Sequence, residues 1–116
     1  MLERDCHLYL SDIQDSGQAI LSYVADIDFE RFSKDRMRQA AVIREFEIIG
    51  EAAGKLPEDL KACYPQVPWR DIKDFRNLLI HAYFGVDLRI VWNTIEQDLP
   101  KLLAATADML AQQPSN

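Results

Sequence analysis

Two cysteines, two histidines and four glycines are all that this chain has of the residue types that most often build redox, metal and phosphate-cradling sites. Cys6 and Cys63 do not form a C-x-x-C pair, and no export signal accompanies them, so they read as reduced thiols packed as small apolar residues. His7 and His81 have no second cysteine or histidine at ligand spacing, and no metal site is expected. The glycines make neither a G-x-G-x-x-G turn nor a G-x-x-x-x-G-K loop, and there is no G-x-S-x-G elbow. No apolar run approaches the thickness of a bilayer. The opening Met1-Leu2-Glu3-Arg4-Asp5 is charged and lacks the apolar core of a secretory signal, so the expected location is the cytoplasm, with no membrane partner.

Positive charge is also scarce. The net charge is −6, which argues against indiscriminate coating of nucleic acid, because phosphate binding relies on Lys and Arg displacing counterions. A selective enzyme acting on RNA is compatible with it. Arg31, Lys34, Arg36, Arg38 and Arg44 crowd one short region. The cluster reads either as a solvated helix face or as a phosphate contact, with Arg36, Arg38 and Arg44 as candidate RNA-binding residues.

The balance of 48% hydrophobic and 28% charged residues is that of a globular domain, and 116 residues suit one domain spanning 1–116. Cys6, Leu10, Ile13, Gly17, Ile20 and Val24 alternate by four and three, the seam of an amphipathic helix over about 4–25. Ser33 reads as the cap of a second helix over about 34–54, with Phe32 stapled against Met37 and a seam of Val42, Phe46, Ile49 and Ala53. Glycine within a helix costs about 0.5–1 kcal/mol relative to alanine. Gly50 therefore suggests a close approach by another helix. A proline-containing loop follows, with a short helical turn at Glu58 to Ala62. Pro68 opens a third helix over about 69–83, with Ile72, Phe75, Leu79 and Ala82 as its apolar stripe. Asp87 caps a fourth over about 87–112, which Pro100 should bend. Four helical patterns without a strand predict an all-α fold, an antiparallel four-helix bundle with a short extra helix between helices two and three.

The third helix carries Arg76-Asn77-Leu78-Leu79-Ile80-His81-Ala82-Tyr83. At about 100° per residue, Arg76 and Tyr83 share one stripe, Asn77 and His81 the next, and Arg76 and His81 stand about 140° apart. A core helix with polar residues at its rim explains the same spacing. So does a site completed by the reach of arginine, a bend at the helix end, or a second subunit. RNA carries its own nucleophile, the 2′-hydroxyl, so cleavage needs only proton transfer and stabilisation of added negative charge. With an ordinary pKa of roughly 6.5, His81 suits the first task, and the planar guanidinium of Arg76 the second. Asn77 could fix the tautomer of His81 from one turn away, or be a surface amide. Glu45, Glu47 and Glu51 read as a solvated acidic face, and Trp69 and Trp92 as core or interface aromatics.

The run Arg76 to Tyr83, with Phe84-Gly85-Val86-Asp87 behind it, resembles the R-x4-H-x-Y signature of HepT toxins of the HEPN superfamily, also known as DUF86. Glu47-Ile48-Ile49-Gly50-Glu51-Ala52-Ala53, Pro68-Trp69-Arg70-Asp71-Ile72 and Asp98-Leu99-Pro100 resemble other segments of that family in the same order, so the likeness covers nearly the whole chain. It implies a helical homodimer with Arg76 and His81 as the catalytic pair of a metal-independent, cofactor-free endoribonuclease, acting on tRNA. It also implies a toxin–antitoxin system. The partner there is a minimal MntA-type nucleotidyltransferase that silences the toxin by AMPylation of the motif tyrosine, here Tyr83. The alternative is a non-catalytic helical subunit that presents a nucleotide or substrate to a nucleotidyltransferase, with the same Arg and His binding phosphate without turnover.

Overall fold

The first predicted seam winds into one buried stripe of α1 (Leu2–Val24): Cys6, Leu10, Ile13, Gly17 and Ile20 all face inward. The computed structural model describes residues 2–80 and 85–112, with side chains from residue 5. Every regular element among them is helical. After α1 come α2 (Phe29–Phe32), α3 (Arg36–Gly54), α4 (Glu58–Ala62), α5 (Trp69–Ile80) and α6 (Leu88–Asn93). A π-helical turn, Thr94–Asp98, then leads directly into α7 (Leu99–Gln112).

The start of α3 differs from the expected one. Asp35, not Ser33, is its cap, accepting a hydrogen bond from the Arg38 backbone N–H at 3.1 Å. That bond, with a second from the Arg38 side chain, holds the Asp35 carboxyl below the usual carboxylate range. Ser33 instead closes α2, its hydroxyl donating to the Glu30 carbonyl at 2.7 Å. The Phe32–Met37 staple is absent too: Phe32 is fully buried, whereas Met37 is 85% exposed. A short helix that the spacing did not announce has carried Phe32 into the core, against Trp92.

Pro100 has the effect its ring dictates. It offers no N–H and crowds the preceding turn, and the chain widens just before it: the Leu99 N–H reaches back to the Thr94 carbonyl.

Contacts at both ends fix α1 antiparallel to α3. Near the end of α1, Tyr23 bonds Glu45 and its carbonyl accepts from Arg38; near the start, the Tyr9 ring lies under Lys55. α7 packs on the other side of α1, where Gly17 admits Leu103, and Gln14 donates to both the Leu103 carbonyl and the Thr106 hydroxyl at 2.7 Å. Phe46 meets Phe75 edge to face across α3 and α5. Among the described residues no helix is long and apolar enough to cross a membrane. The architecture is the expected all-helical bundle of the HEPN type.

Candidate active site around Arg76

Gly50 sets the position of Arg76. A β-carbon built on Gly50 would lie 2.3 Å from Cβ and 2.5 Å from Cγ of Arg76, so the arginine stem crosses α3 where only hydrogen leaves room. The close approach expected at Gly50 is thus made by the arginine of the motif itself.

Beyond that crossing the guanidinium is held at two points. Nη2 donates to Glu51 Oε1, and Nη1 donates to Asn77 Oδ1 at 3.2 Å. The second Glu51 oxygen lies 3.7 Å from Lys55 Nζ, so one carboxylate bridges two cations. Arg76 Nε is buried without a hydrogen-bond partner among the described residues. A buried donor left unpaired is uncommon. Glu51 and Asn77 therefore fix the far end of a side chain whose near end is fixed by packing.

This guanidinium edges a cleft of about 250 Å³ between α1, α3 and α5, which Asp12, Arg44, Glu47, Lys55 and Ile80 also line. Its charges are mixed and close to balance. The three glutamates of α3 do not form one acidic face. Glu45 accepts from the Tyr23 hydroxyl at 3.0 Å and so pushes that phenol's pKa up; Glu47 pairs with Arg44 at 3.5 Å; Glu51 turns to Arg76. Glu51 and Lys55 are the residues that sequence reasoning missed. For Glu51 the signal was adjacency to Gly50, since a side chain next to a forced helix crossing meets what crosses; Lys55 follows one turn later, paired to Glu51.

Of the residues singled out in the sequence, Arg76 and Asn77 come together. The Asn77 oxygen faces the arginine rather than standing as a free surface amide. His81 and Tyr83 lie outside the described residues. The three candidate RNA-binding arginines diverge. Arg38 is consumed internally, its Nη1 bonded to Asp35 at 2.7 Å and its Nε to the Tyr23 carbonyl at 2.8 Å. Arg36 is exposed, and Arg44 reaches the cleft rim beside Glu47.

Residues 13–109, which include the whole arginine–histidine–tyrosine motif, match the family described as Ribonuclease HepT-like. The chain belongs to the HepT-like ribonuclease family. It is 47% identical to a probable ribonuclease HepT of Thermococcus cleftensis over 81% of this chain and 86% of that one. It is 39% identical to a putative RNase of Methanocaldococcus jannaschii over 88% of this chain and 94% of the relative. A putative RNase of Caldanaerobacter subterraneus subsp. tengcongensis is 38% identical over 90% and 94%. No solved structure matches. For this HepT-like chain the expected enzyme class, an endoribonuclease, is that of its family.

Proposed function

We propose that this HepT-like chain is the toxin of a toxin–antitoxin pair, an endoribonuclease that cuts tRNA without a metal and works as a homodimer. The observation that carries the reading is the placement of Arg76. Its guanidinium is fixed by Glu51 and Asn77 at the edge of an open cleft, with its stem locked against Gly50. A fork held in advance stabilises charge that develops in a transition state without reorganising when the reaction occurs.

In the proposed reaction the 2′-oxygen attacks the adjacent phosphorus, the bond to the 5′-oxygen breaks, and a 2′,3′-cyclic phosphate and a 5′-hydroxyl result. His81 takes the proton from the 2′-hydroxyl or supplies the one gained by the leaving oxygen, water carrying the other transfer, and Arg76 holds the phosphate oxygens. Two helices meeting about a twofold axis would bring together groups that one helix holds about 140° apart. Exposed Ile80, one turn from Arg76 on the same face of α5, supports such a meeting. AMP placed on Tyr83 by an MntA-type partner would bring a phosphate to the arginine and block the RNA backbone.

The test is cleavage of purified tRNA in excess EDTA by the wild type, Arg76→Ala and His81→Ala. Cutting by the wild type alone supports the reading. RNA bound but left whole by all three would make the chain a binding subunit, and activity that survives His81→Ala would overturn the mechanism. For regulation, an AMP adduct on Tyr83 after co-expression with the nucleotidyltransferase is expected by intact-mass and peptide mapping. An adduct on Tyr9, Tyr23 or Tyr64 would refute it.

A further inference from the structure

A second hollow lies on the other side of the Gly50–Arg76 crossing, between α3 and α5. Its volume is about 370 Å³, within the roughly 300–1,000 Å³ of small-ligand clefts. Gly50, Ala53 and Gly54 line the α3 side, and Trp69, Arg70 and Lys73 the α5 side. Gly50 borders this hollow and Arg76 borders the cleft described above, and the two residues are in contact, so the hollows flank one helix crossing, with the Arg76 stem between them.

Three features give the hollow its chemistry. The first is charge. Glu58, its one carboxylate, is neutralised by Lys61, whose ammonium lies 3.0 Å from it and also donates to the Ala53 carbonyl. Arg70 and Lys73 are exposed and have no ion-pair partner among the described residues. The hollow is therefore net positive, whereas the cleft beside it has three cations against three carboxylates. The second is a fixed aromatic. Trp69 Nε1 donates to the carbonyls of Lys61 and Tyr64, both at 3.1 Å, which locks the plane of a half-buried indole at the edge of the hollow. The third is space. A β-carbon placed on Gly54 would have no heavy atom within 4 Å.

Unpaired cations that follow a backbone, beside a fixed aromatic ring, are the means by which single-stranded nucleic acid is held without sequence readout. We propose that this hollow is a subsite for the nucleotide next to the scissile bond. Its base stacks on Trp69, and its phosphates lie on Arg70 and Lys73. The proposal rests on the reading of Arg76 as the phosphate-holding residue, and it assigns the direction in which the strand leaves Arg76: toward Trp69, away from Glu47 and Asp12.

The test uses the full chain and a fluorescent single-stranded 2′-O-methyl RNA of mixed sequence, which lacks the 2′-hydroxyl nucleophile and stays intact. Binding is followed by anisotropy over a range of salt. Arg70→Gln/Lys73→Gln should weaken binding and lower the slope of log Kd against log salt by about 1.4, two phosphate contacts at roughly 0.7 each. Gly54→Leu should fill the hollow and weaken binding about tenfold, the order of one lost base stack, while leaving melting unchanged or raised, because leucine is the better helix former. Unchanged affinity and slope in the double variant, with unchanged affinity in Gly54→Leu, would overturn the proposal, as would a wild type that fails to bind the probe. Cleavage separates the two readings. If both variants cut tRNA like the wild type while Arg76→Ala does not, the subsite falls and the nuclease reading stands. If the wild type binds the probe but cuts no RNA, the nuclease reading falls and the binding hollow stands.

Discussion

Gly50 and Arg76 occupy the same space up to the limit that atoms allow: a single methyl group on the glycine would overlap the arginine at both Cβ and Cγ. These are the atoms nearest the α5 backbone, and rotation about side-chain bonds cannot move the Cβ away. The contact couples the packing of two helices to the position of one guanidinium.

Gly50→Ala should therefore push α5 off α3. Overpacking of this kind costs about 1–3 kcal/mol, even though alanine is the better helix residue by about 0.5–1 kcal/mol. The net expectation is a fall of several degrees in melting temperature, with a larger fall in RNA cleavage, because the displaced arginine loses its geometry. Gly17→Ala is the contrast. Its added methyl would meet the Cδ atoms of Leu103, the far end of a side chain that can rotate. A Gly50→Ala protein as stable and as active as the wild type would show that the crossing is more yielding than its distances imply.

Glu51 holds Arg76 from half-exposed positions, the two side chains being 51% and 32% exposed, so the pair should contribute little to stability, under about 1 kcal/mol. Its contribution should be to geometry. Glu51→Ala is expected to lower kcat for RNA cleavage about tenfold, the order of a modest loss of preorganised charge stabilisation. KM and melting temperature should change little, and Glu51→Gln, which keeps an acceptor, should recover part of the rate. A fall in KM with unchanged kcat would mean instead that the carboxylate competes with the RNA phosphate.

How much of this was legible in the sequence depends on the reach of each signal. Periodicity is a property of one helix, and the α1 seam from Cys6 to Ile20 and the α3 seam of Val42, Phe46, Ile49 and Ala53 are buried as their spacing required. A cap is a competition between neighbours. Ser33 had the right chemistry, but Asp35 lay closer to the helix and accepts from Arg38 with a full charge. Burial of Phe32 against Trp92 involves residues sixty positions apart, which no local staple rule can weigh. The arginine of the site was readable as a motif and Gly50 as a crossing. That the two are a single contact, and that it brings Glu51 to the guanidinium, depends on the register between α3 and α5.

The basic cluster divides by the same logic into structural and free arginines. Arg38 joins the end of α1 to the start of α3 through the Tyr23 carbonyl and Asp35, so Arg38→Gln should lower the melting temperature and leave the salt dependence of RNA binding unchanged. Arg36→Gln should leave stability unchanged, its side chain being exposed. Thermal melts of the two variants and their anisotropy titrations at several salt concentrations decide it. A lower salt slope in Arg38→Gln at unchanged stability would return that residue to the RNA-binding set.

Asp98 offers a test by pH. It closes the π-helical turn ahead of Pro100, and its carboxyl is raised above the usual carboxylate range. Burial is the main cause; Lys101 partly offsets it, and the like charge of Asp71 adds to it. An unfolded aspartate titrates near about 3.9. Between that value and the higher folded one the native state binds more protons than the unfolded state, so this group favours folding at low pH, and its contribution is lost as pH rises through the folded pKa. Asp98→Asn cannot ionise, and it also relieves Asp71 of a like charge. The variant should be more stable than the wild type at neutral pH, and the gap should close as both chains are taken below about pH 4. Urea melts of the pair at acid and neutral pH measure that gap directly, with titrations away from Asp98 and its charged neighbours common to both chains. A gap that stays constant with pH, or that favours the wild type at neutrality, would mean that the Asp98 carboxylate is better paired in the folded protein than its surroundings indicate.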